Sequence, residues 1–151
     1  MDVDWASVGF RVLHVGAAIV LVGGAAFMRW ALLPAAEGLD DAEHDAFRER
    51  LLGRWKRFVH GGIAVVLASG LYNYLVVMRP LHEGDGLYHM LLGIKMLLAL
   101  VLFFLASALV GRSKALEGLR TMSKRTLGVM LLLALVIVVL SGFLKIRGVP
   151  S

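Results

Sequence analysis

The sequence contains no cysteine among its 151 residues. This absence excludes thiolate zinc sites, iron–sulfur clusters and disulfide bonds, because each of them requires cysteine sulfur. A metal bound by side chains must therefore rely on histidine, methionine or carboxylate ligands. The missing thiols also remove the usual sequence indicator of the redox compartment.

Charged residues are scarce as well, at 18% of the chain, whereas hydrophobic residues make up 59% and the mean hydropathy is +0.79. Ordinary soluble domains are about 45–50% apolar, so this composition excludes a soluble globular protein. The apolar residues form four runs of about 20 residues, the length that crosses a bilayer core of about 30 Å. The runs cover approximately residues 8–31, 58–78, 87–110 and 126–146. The sequence therefore predicts an all-α, integral membrane four-helix bundle that forms one domain over residues 1–151.

The formal net charge of +5 is compatible with binding to nucleic acid or to anionic lipid. Because most of the chain is predicted to lie in the bilayer, the basic residues are better explained by contact with lipid headgroups. They also indicate orientation, since cytoplasmic loops carry an excess of lysine and arginine. We therefore expect the lipid bilayer as a partner and no nucleic acid.

The connections after the first and third runs hold six and five basic residues, eleven in all, against four on the opposite side. This bias predicts that both termini and the loop 79–86 lie outside, and that the two longer connections lie in the cytoplasm. The expected location is a bacterial-type inner or plasma membrane. The inner residues are Arg29, Arg48, Arg50, Arg54, Lys56, Arg57, Arg112, Lys114, Arg120, Lys124 and Arg125, and the outer ones are Arg11, Arg79, Lys145 and Arg147.

The segment before the second run carries its own helical pattern. Asp40 or Asp41 is a candidate N-cap, since aspartate accepts hydrogen bonds from the first free N–H groups of a helix. Apolar residues then recur at helical spacing, at Phe47, Leu51, Trp55 and Phe58. The pattern predicts an amphipathic extension over residues 41–57, with its basic residues at the lipid headgroups.

Polar residues at membrane depth mark functional sites by default, because burying them in lipid is costly. At about 1.5 Å per residue, His14 and Asn73 lie roughly 9 Å below the outer surface and Lys95 lies at roughly 12 Å. The three residues therefore share one layer of the predicted bundle. Lys95 is too deep to reach water with its side chain, so we expect it to face the bundle interior and meet an anion, a polar cavity or a proton path.

His14 has two interpretations. It is either a structural histidine, bonded to a neighbouring carbonyl or to Asn73, or a neutral imidazole that binds haem iron or copper. His89, at the outer mouth of the third run, lies 120° around the helix from Lys95 and could line the entrance to the same cavity. His60 lies at the cytoplasmic end of the second run. Small residues at Gly23, Gly24, Gly61, Gly62 and Gly93 permit close approach of helices in lipid.

Several short motifs are similar to those of one membrane family. Leu13-His14-Val15-Gly16, followed by Gly23-Gly24 and Phe27-Met28-Arg29, resembles the first core helix of the HemJ-type protoporphyrinogen oxidases and of the related CopD-type copper-resistance domain. Ile94-Lys95-Met96-Leu97 resembles the lysine motif of their third helix. Further similarities are the basic stretch at 54–58, the segment Gly70-Leu71-Tyr72-Asn73 and the basic residues at 120–125.

The resemblance implies a four-helix membrane protein that binds haem b, with His14 as the axial histidine and Lys95 as the functional lysine. One position departs from the HemJ motif, which has histidine two positions before the lysine, where this chain has Gly93. Protoporphyrinogen oxidation, electron transfer by a haem-binding relative and a CopD-like function therefore all stay open.

In the first hypothesis the chain is a membrane oxidoreductase that handles a tetrapyrrole or a quinone-like molecule. Lys95 and Asn73 are its candidate catalytic residues, and His14 and His89 are its candidate metal ligands. His60 is a further candidate for binding the cofactor. Arg11 and Arg79 would hold the haem propionates, because arginine pairs bidentately with carboxylates. A homo-oligomer or a larger membrane complex stays open in this hypothesis.

In the alternative hypothesis the chain takes up copper or confers copper resistance. His82, His89, Met78 and Met90 would then collect copper at the outer face, with Lys95 controlling passage. The sequence offers no Met-x-x-Met motif and no histidine-rich outer tail in support. A buried cation in the pathway would also repel copper ions.

The predicted orientation can be tested directly, because the chain has no native cysteine. A cysteine placed in the segment 40–45 should react with a membrane-impermeant thiol reagent only from the cytoplasmic side. A cysteine in the loop 79–86 serves as the matched control and should react only from outside. Labelling of the 40–45 position in intact cells would contradict the topology.

Overall fold

A computed structural model describes residues 4–147 of the chain. No β-strand occurs among these residues, and 91% of them are helical. Four helices are long and apolar enough to cross a membrane, and we call them the first to fourth spans: Trp5–Ala36, Ala42–Leu81, Gly86–Val110 and Ser123–Ile146. The prediction of an all-α protein with four membrane-length helices is confirmed. Residues 1–3 and 148–151 lie outside the described residues, so the location of both termini stays a prediction.

The first two spans are composite helices. The first joins the α-helix Trp5–Phe27, the π-helical segment Met28–Leu32 and the α-helical turn Leu33–Ala36. The second consists of the α-helix Asp41–Tyr72, the π-helical segment Asn73–Met78 and the turn Arg79–Leu81. The helix from Asp41 runs without a break through the segment 41–57, which the sequence assigns to an amphipathic extension.

The last two spans are regular. The third is a single α-helix, Gly86–Val110, and the fourth belongs to the α-helix Ser123–Arg147. Between them lie a 3₁₀ turn, Lys114–Leu116, and a short helix, Glu117–Thr121.

A proline follows each π-helical segment and explains it. Pro34 and Pro80 have no N–H group, and a proline ring clashes with the carbonyl four residues earlier in a regular α-helix. The wider turn satisfies the neighbouring backbone, since the N–H of Leu33 bonds to the Met28 carbonyl and that of Arg79 to the Tyr74 carbonyl. Both spans therefore continue past their proline.

Aspartates cap the N-termini of the first three spans. Asp40 accepts a hydrogen bond from the Glu43 N–H at 2.8 Å, and Asp85 accepts one from the Tyr88 N–H at 3.0 Å. Asp4 accepts from the backbone N–H groups of Ala6 and Ser7 and from the Ser7 hydroxyl. The bonds from Ser7 hold the pKa of Asp4 below its ordinary value. These caps set where the helices begin.

The spans form a ring in chain order. The first packs closely along the second, the third packs closely along the fourth, and the second–third and first–fourth contacts close the ring. The connections 37–40 and 111–122 lie at one end, which we call the basic end. Trp5, the loop 82–85 and Arg147 lie at the other, which we call the terminal end. Consecutive spans are thus antiparallel, as in an up-and-down bundle.

Glycines in the first two spans allow their close contact. The ring of Trp55 lies against Gly24, so a Cβ atom at position 24 would overlap it. A Cβ at Gly62 would lie 2.9 Å from Leu21, and one at Gly70 would lie 3.0 Å from Cε1 of His14. A side chain at any of these three positions would therefore force the facing side chain to move.

The core of the bundle is small. One cluster of buried side chains joins all four spans, at Ala25, Val59, Ala106, Val110, Leu127 and Met130. Many large apolar side chains point outward instead, among them Ile19, Leu97 and Val138. An apolar outer surface of this extent is typical of a membrane interaction face.

We predict opposite effects for two neighbouring substitutions in the first span. Replacing glycine by alanine inside a helix normally stabilises it by about 0.5–1 kcal/mol, and Gly23→Ala should do so because nothing lies within 4 Å of the new Cβ. Gly24→Ala should instead destabilise the protein by about 1–3 kcal/mol, because Trp55 must move. Thermal unfolding in detergent, followed by circular dichroism, measures both. Equal shifts for the two variants would contradict this account of the interface.

Candidate functional site

His14 lies between the first and second spans, and its Nδ1 atom has two partners on the second. This nitrogen is 3.0 Å from the carbonyl oxygen of Val66 and 3.0 Å from Oγ of Ser69. Ser69 is almost fully buried, with 1% of its surface exposed. The imidazole is thus anchored to the neighbouring helix through one ring nitrogen.

The partners of Nδ1 determine which ring nitrogen carries the proton. The Val66 carbonyl can only accept a hydrogen bond, and the Ser69 hydroxyl already donates to the Val65 carbonyl at 2.5 Å. Nδ1 must therefore be the donor. In the neutral imidazole the lone pair then lies on Nε2, the atom available to a ligand or proton.

Lys95 is the charged group nearest to this layer on the third span. Its side chain is partly buried, and its ammonium lies near enough to His14 for the two groups to interact electrostatically. Within residues 4–147, neither a carboxylate nor another acceptor bonds to the Lys95 ammonium. The site thus combines an imidazole lone pair with a cation that has no acceptor among the described residues, a combination suited to binding an anionic group or passing a proton.

Asn73, the third member of the predicted layer, belongs to the same helix as Ser69. It begins the π-helical segment, and its backbone N–H bonds to the carbonyls of Gly70 and Ser69. Its partly buried side chain is not the group that bonds to His14. Ser69 takes that position, and sequence reasoning missed it. The available signal was a lone serine one turn before Asn73 on an apolar helix.

His89 lies toward the terminal end, in an aromatic cluster. Its ring is in edge contact with Tyr74 at 6.4 Å and with Tyr88 at 5.8 Å between centroids. Its Nδ1 atom is buried and has no hydrogen-bond partner among the described residues. His89 precedes Lys95 by six residues, which is about 9 Å along the helix. The structure therefore does not bring His89 level with the His14–Lys95 pair.

The remaining site candidates lie apart from His14. His60 is exposed on the second span nearer the basic end, where its Nδ1 donates to the Lys56 carbonyl at 2.8 Å. Arg11 and Arg79 are exposed near the terminal end. His82 stacks on Tyr88, with ring centroids 3.6 Å apart.

The copper alternative finds little geometric support. Among residues 4–147, no group of three or more histidine, aspartate or glutamate side chains could hold a metal ion. The Nδ1 atom of His82 donates to the Met78 carbonyl at 3.1 Å, and 55% of the Met90 surface is exposed. Copper binding at the outer face therefore stays a prediction.

The bundle also holds a cavity of about 540 Å³ that sequence reasoning missed. It lies toward the basic end, and residues of all four spans line it. His14 and Lys95 are not among these residues. The cavity and the His14–Lys95 pair are therefore separate features of the bundle.

No family model, curated protein or solved structure matches this chain. The similarity to the HemJ and CopD types thus rests on the short sequence motifs alone. The structure adds that His14 and Lys95, 81 positions apart in the sequence, come within range of electrostatic interaction.

Proposed function

We propose that this chain is an integral membrane protein that binds haem b through His14 and takes part in membrane redox reactions, as the HemJ-type oxidases do. One observation carries the proposal: hydrogen bonds to Val66 and Ser69 hold His14 through Nδ1, which leaves the Nε2 lone pair available to a ligand. The apolar outer faces of the four spans support insertion in a bilayer. The excess of basic residues at one end supports an inner or plasma membrane with that end in the cytoplasm.

The chemistry of His14 fits one axial position of a haem. Histidines that bind metals usually donate their other ring N–H to a carbonyl or a carboxylate, which fixes the ring and raises its basicity. His14 has this arrangement through Val66. His60 bonds within its own helix and His89 contacts Tyr74 and Tyr88, so we propose His14 as the single protein ligand.

A bound haem b would supply one-electron chemistry at this level of the membrane. The protein's own contribution begins with Ser69 and Gly70. Ser69 holds Nδ1, and Gly70 leaves room for Cε1, so that the imidazole keeps one orientation. Arg11 and Arg79, exposed toward the terminal end, are the candidate partners for carboxylates at the membrane surface.

Lys95 would bind a carboxylate or pass a proton. A charged lysine near the bilayer centre costs at least about 2.5–3.5 kcal/mol on insertion scales, which is difficult to reconcile with a packing role. A structural ion pair does not offset this cost within the described residues, because Lys95 has no carboxylate partner there. Binding of an anion or transfer of a proton would explain why a lysine is present at this depth.

The first test is the absorption spectrum of the purified protein. Wild-type protein should show a haem Soret band, and His14→Ala should abolish or shift it because the axial nitrogen is lost. His60→Ala is the matched control, since His60 is exposed and bonded within its own helix, and it should leave the band unchanged. A protein without haem, or an unchanged band in His14→Ala, would refute the assignment of His14.

The second test concerns Lys95 and uses the rate of haem reduction by a membrane quinol, measured against pH. Lys95→Met should fold and bind haem yet lower the rate by about 10²-fold or more, as expected when a proton-transfer group is removed. Lys95→Arg should not restore the rate fully, because a guanidinium does not lose its proton. Lys145→Met, at an exposed basic residue, is the control. A wild-type rate for Lys95→Met at every pH would contradict the proposal.

A further inference from the structure

The cavity at the basic end has apolar walls. Side chains from all four spans contribute to them, including Val22, Val59, Leu102, Ala106, Leu127 and Leu131. Its volume of about 540 Å³ lies within the range of about 300–1,000 Å³ that small-molecule sites occupy. An occupant must therefore present apolar surface along most of its length.

The mouth of this cavity is strongly basic. Among the side chains that the structure describes, four cations line it, Arg48, Arg120, Lys124 and Arg125, together with the carboxylate of Glu37. Cations therefore outnumber carboxylates in this described lining. The apolar interior and the cationic mouth together select a molecule with an apolar body and an anionic head.

Hydrogen bonds orient two of these cations without neutralising them. Arg120 donates to the carbonyls of Gly111 and Ser113, at 2.9 and 2.8 Å, and Arg48 donates to the Arg120 carbonyl at 3.4 Å. Carbonyl oxygens carry no net charge, so both guanidinium groups keep their attraction for an anion. The mouth is thus preorganised by backbone contacts.

Lys124 already holds a carboxylate at this mouth, because its ammonium pairs with Glu37. An anionic headgroup that enters the mouth must compete with Glu37 for this ammonium. The contact indicates that the mouth accepts a carboxylate. Lys124 should therefore favour binding of an anionic headgroup, and Glu37 should oppose it.

We propose that this cavity binds a single-chain anionic amphiphile, such as a long-chain carboxylate, with its chain between the spans and its headgroup among Arg48, Arg120 and Lys124. A neutral quinone would leave the cations unused, and a free inorganic anion would leave the apolar walls exposed. The hydrocarbon chain gains little free energy on moving from the bilayer into an apolar cavity. The contacts of the headgroup therefore determine the affinity of the amphiphile for the cavity. The inference does not depend on haem or on His14.

The experiment uses Trp55, which lines the cavity, as its probe. The other two tryptophans, Trp5 and Trp30, are 77% and 68% exposed, and substitution by phenylalanine leaves Trp55 as the single emitter. The full-length protein is placed in nanodiscs of zwitterionic lipid and titrated with dibrominated stearate at mildly alkaline pH. Bromine quenches tryptophan on contact, so we expect saturable quenching by the carboxylate and only weak, non-saturating quenching by its methyl ester.

Three substitutions then test the mouth. Lys124→Gln should weaken binding by roughly tenfold or more, the effect of losing one charged hydrogen bond. Glu37→Gln should tighten binding severalfold, because the competing carboxylate is gone. Arg54→Gln is the matched control, since Arg54 is exposed near the same end but does not line the cavity, and it should leave the Kd unchanged. If Lys124→Gln does not fold, Arg48→Gln replaces it with the same expected direction.

Three outcomes would overturn the proposal. Equal quenching by stearate and its methyl ester would mean that the probe only enters the bilayer. Equal Kd values for Lys124→Gln and Arg54→Gln would mean that the mouth does not bind the headgroup. Quenching by a brominated two-chain anionic phospholipid, but not by stearate, would show that the cavity takes membrane lipid instead. His14→Ala, tested in parallel, should leave quenching unchanged, which separates this proposal from the haem assignment.

Discussion

The close contact between the first two spans determines how His14 is held in the bundle. It depends on glycines that face bulky partners across the interface: Gly24 faces Trp55, Gly62 faces Leu21 and Gly70 faces His14. Association of helices in lipid relies on this kind of packing, because the lipid tails are as apolar as the side chains and little is gained by burying them. Only at this separation do the Val66 carbonyl and the Ser69 hydroxyl reach Nδ1 of His14.

The four spans could be predicted because their signal is local. Length and hydropathy within each run are sufficient, and the two prolines changed only the helical geometry near the ends, not the existence of the helices. Lys95 could also be identified in advance, since a lysine inside an apolar run is costly wherever its helix turns. The sequence likewise indicated Gly24 and Gly62 as positions of close approach. It did not indicate their partners, because these depend on the rotation of one helix against another.

The site was harder to predict for the same reason. The sequence proposed a carbonyl or Asn73 as the partner of His14, and the structure shows the Val66 carbonyl together with Ser69. Ser69 and Asn73 differ by one helical turn, so a small shift between two antiparallel helices decides which of them meets the imidazole. The cavity at the basic end could not be predicted from the sequence for a related reason. Its cations also serve as the topology signal, and their second role emerges only when three separate segments converge on one mouth.

The His14 site and the cavity at the basic end both involve the interface between the first two spans, but they lie at different levels of it. His14 and Gly24 are ten residues apart, about 15 Å along the first span, and Gly24 supports Trp55 in the wall of the cavity. Glycine contacts keep the helices tight around His14, where the ring needs one orientation. Nearer the basic end the large Trp55 ring packs against the first span, and the spans leave space between them. The two levels are therefore separated by about 15 Å of the first span, so a ligand can occupy the cavity without direct contact to His14.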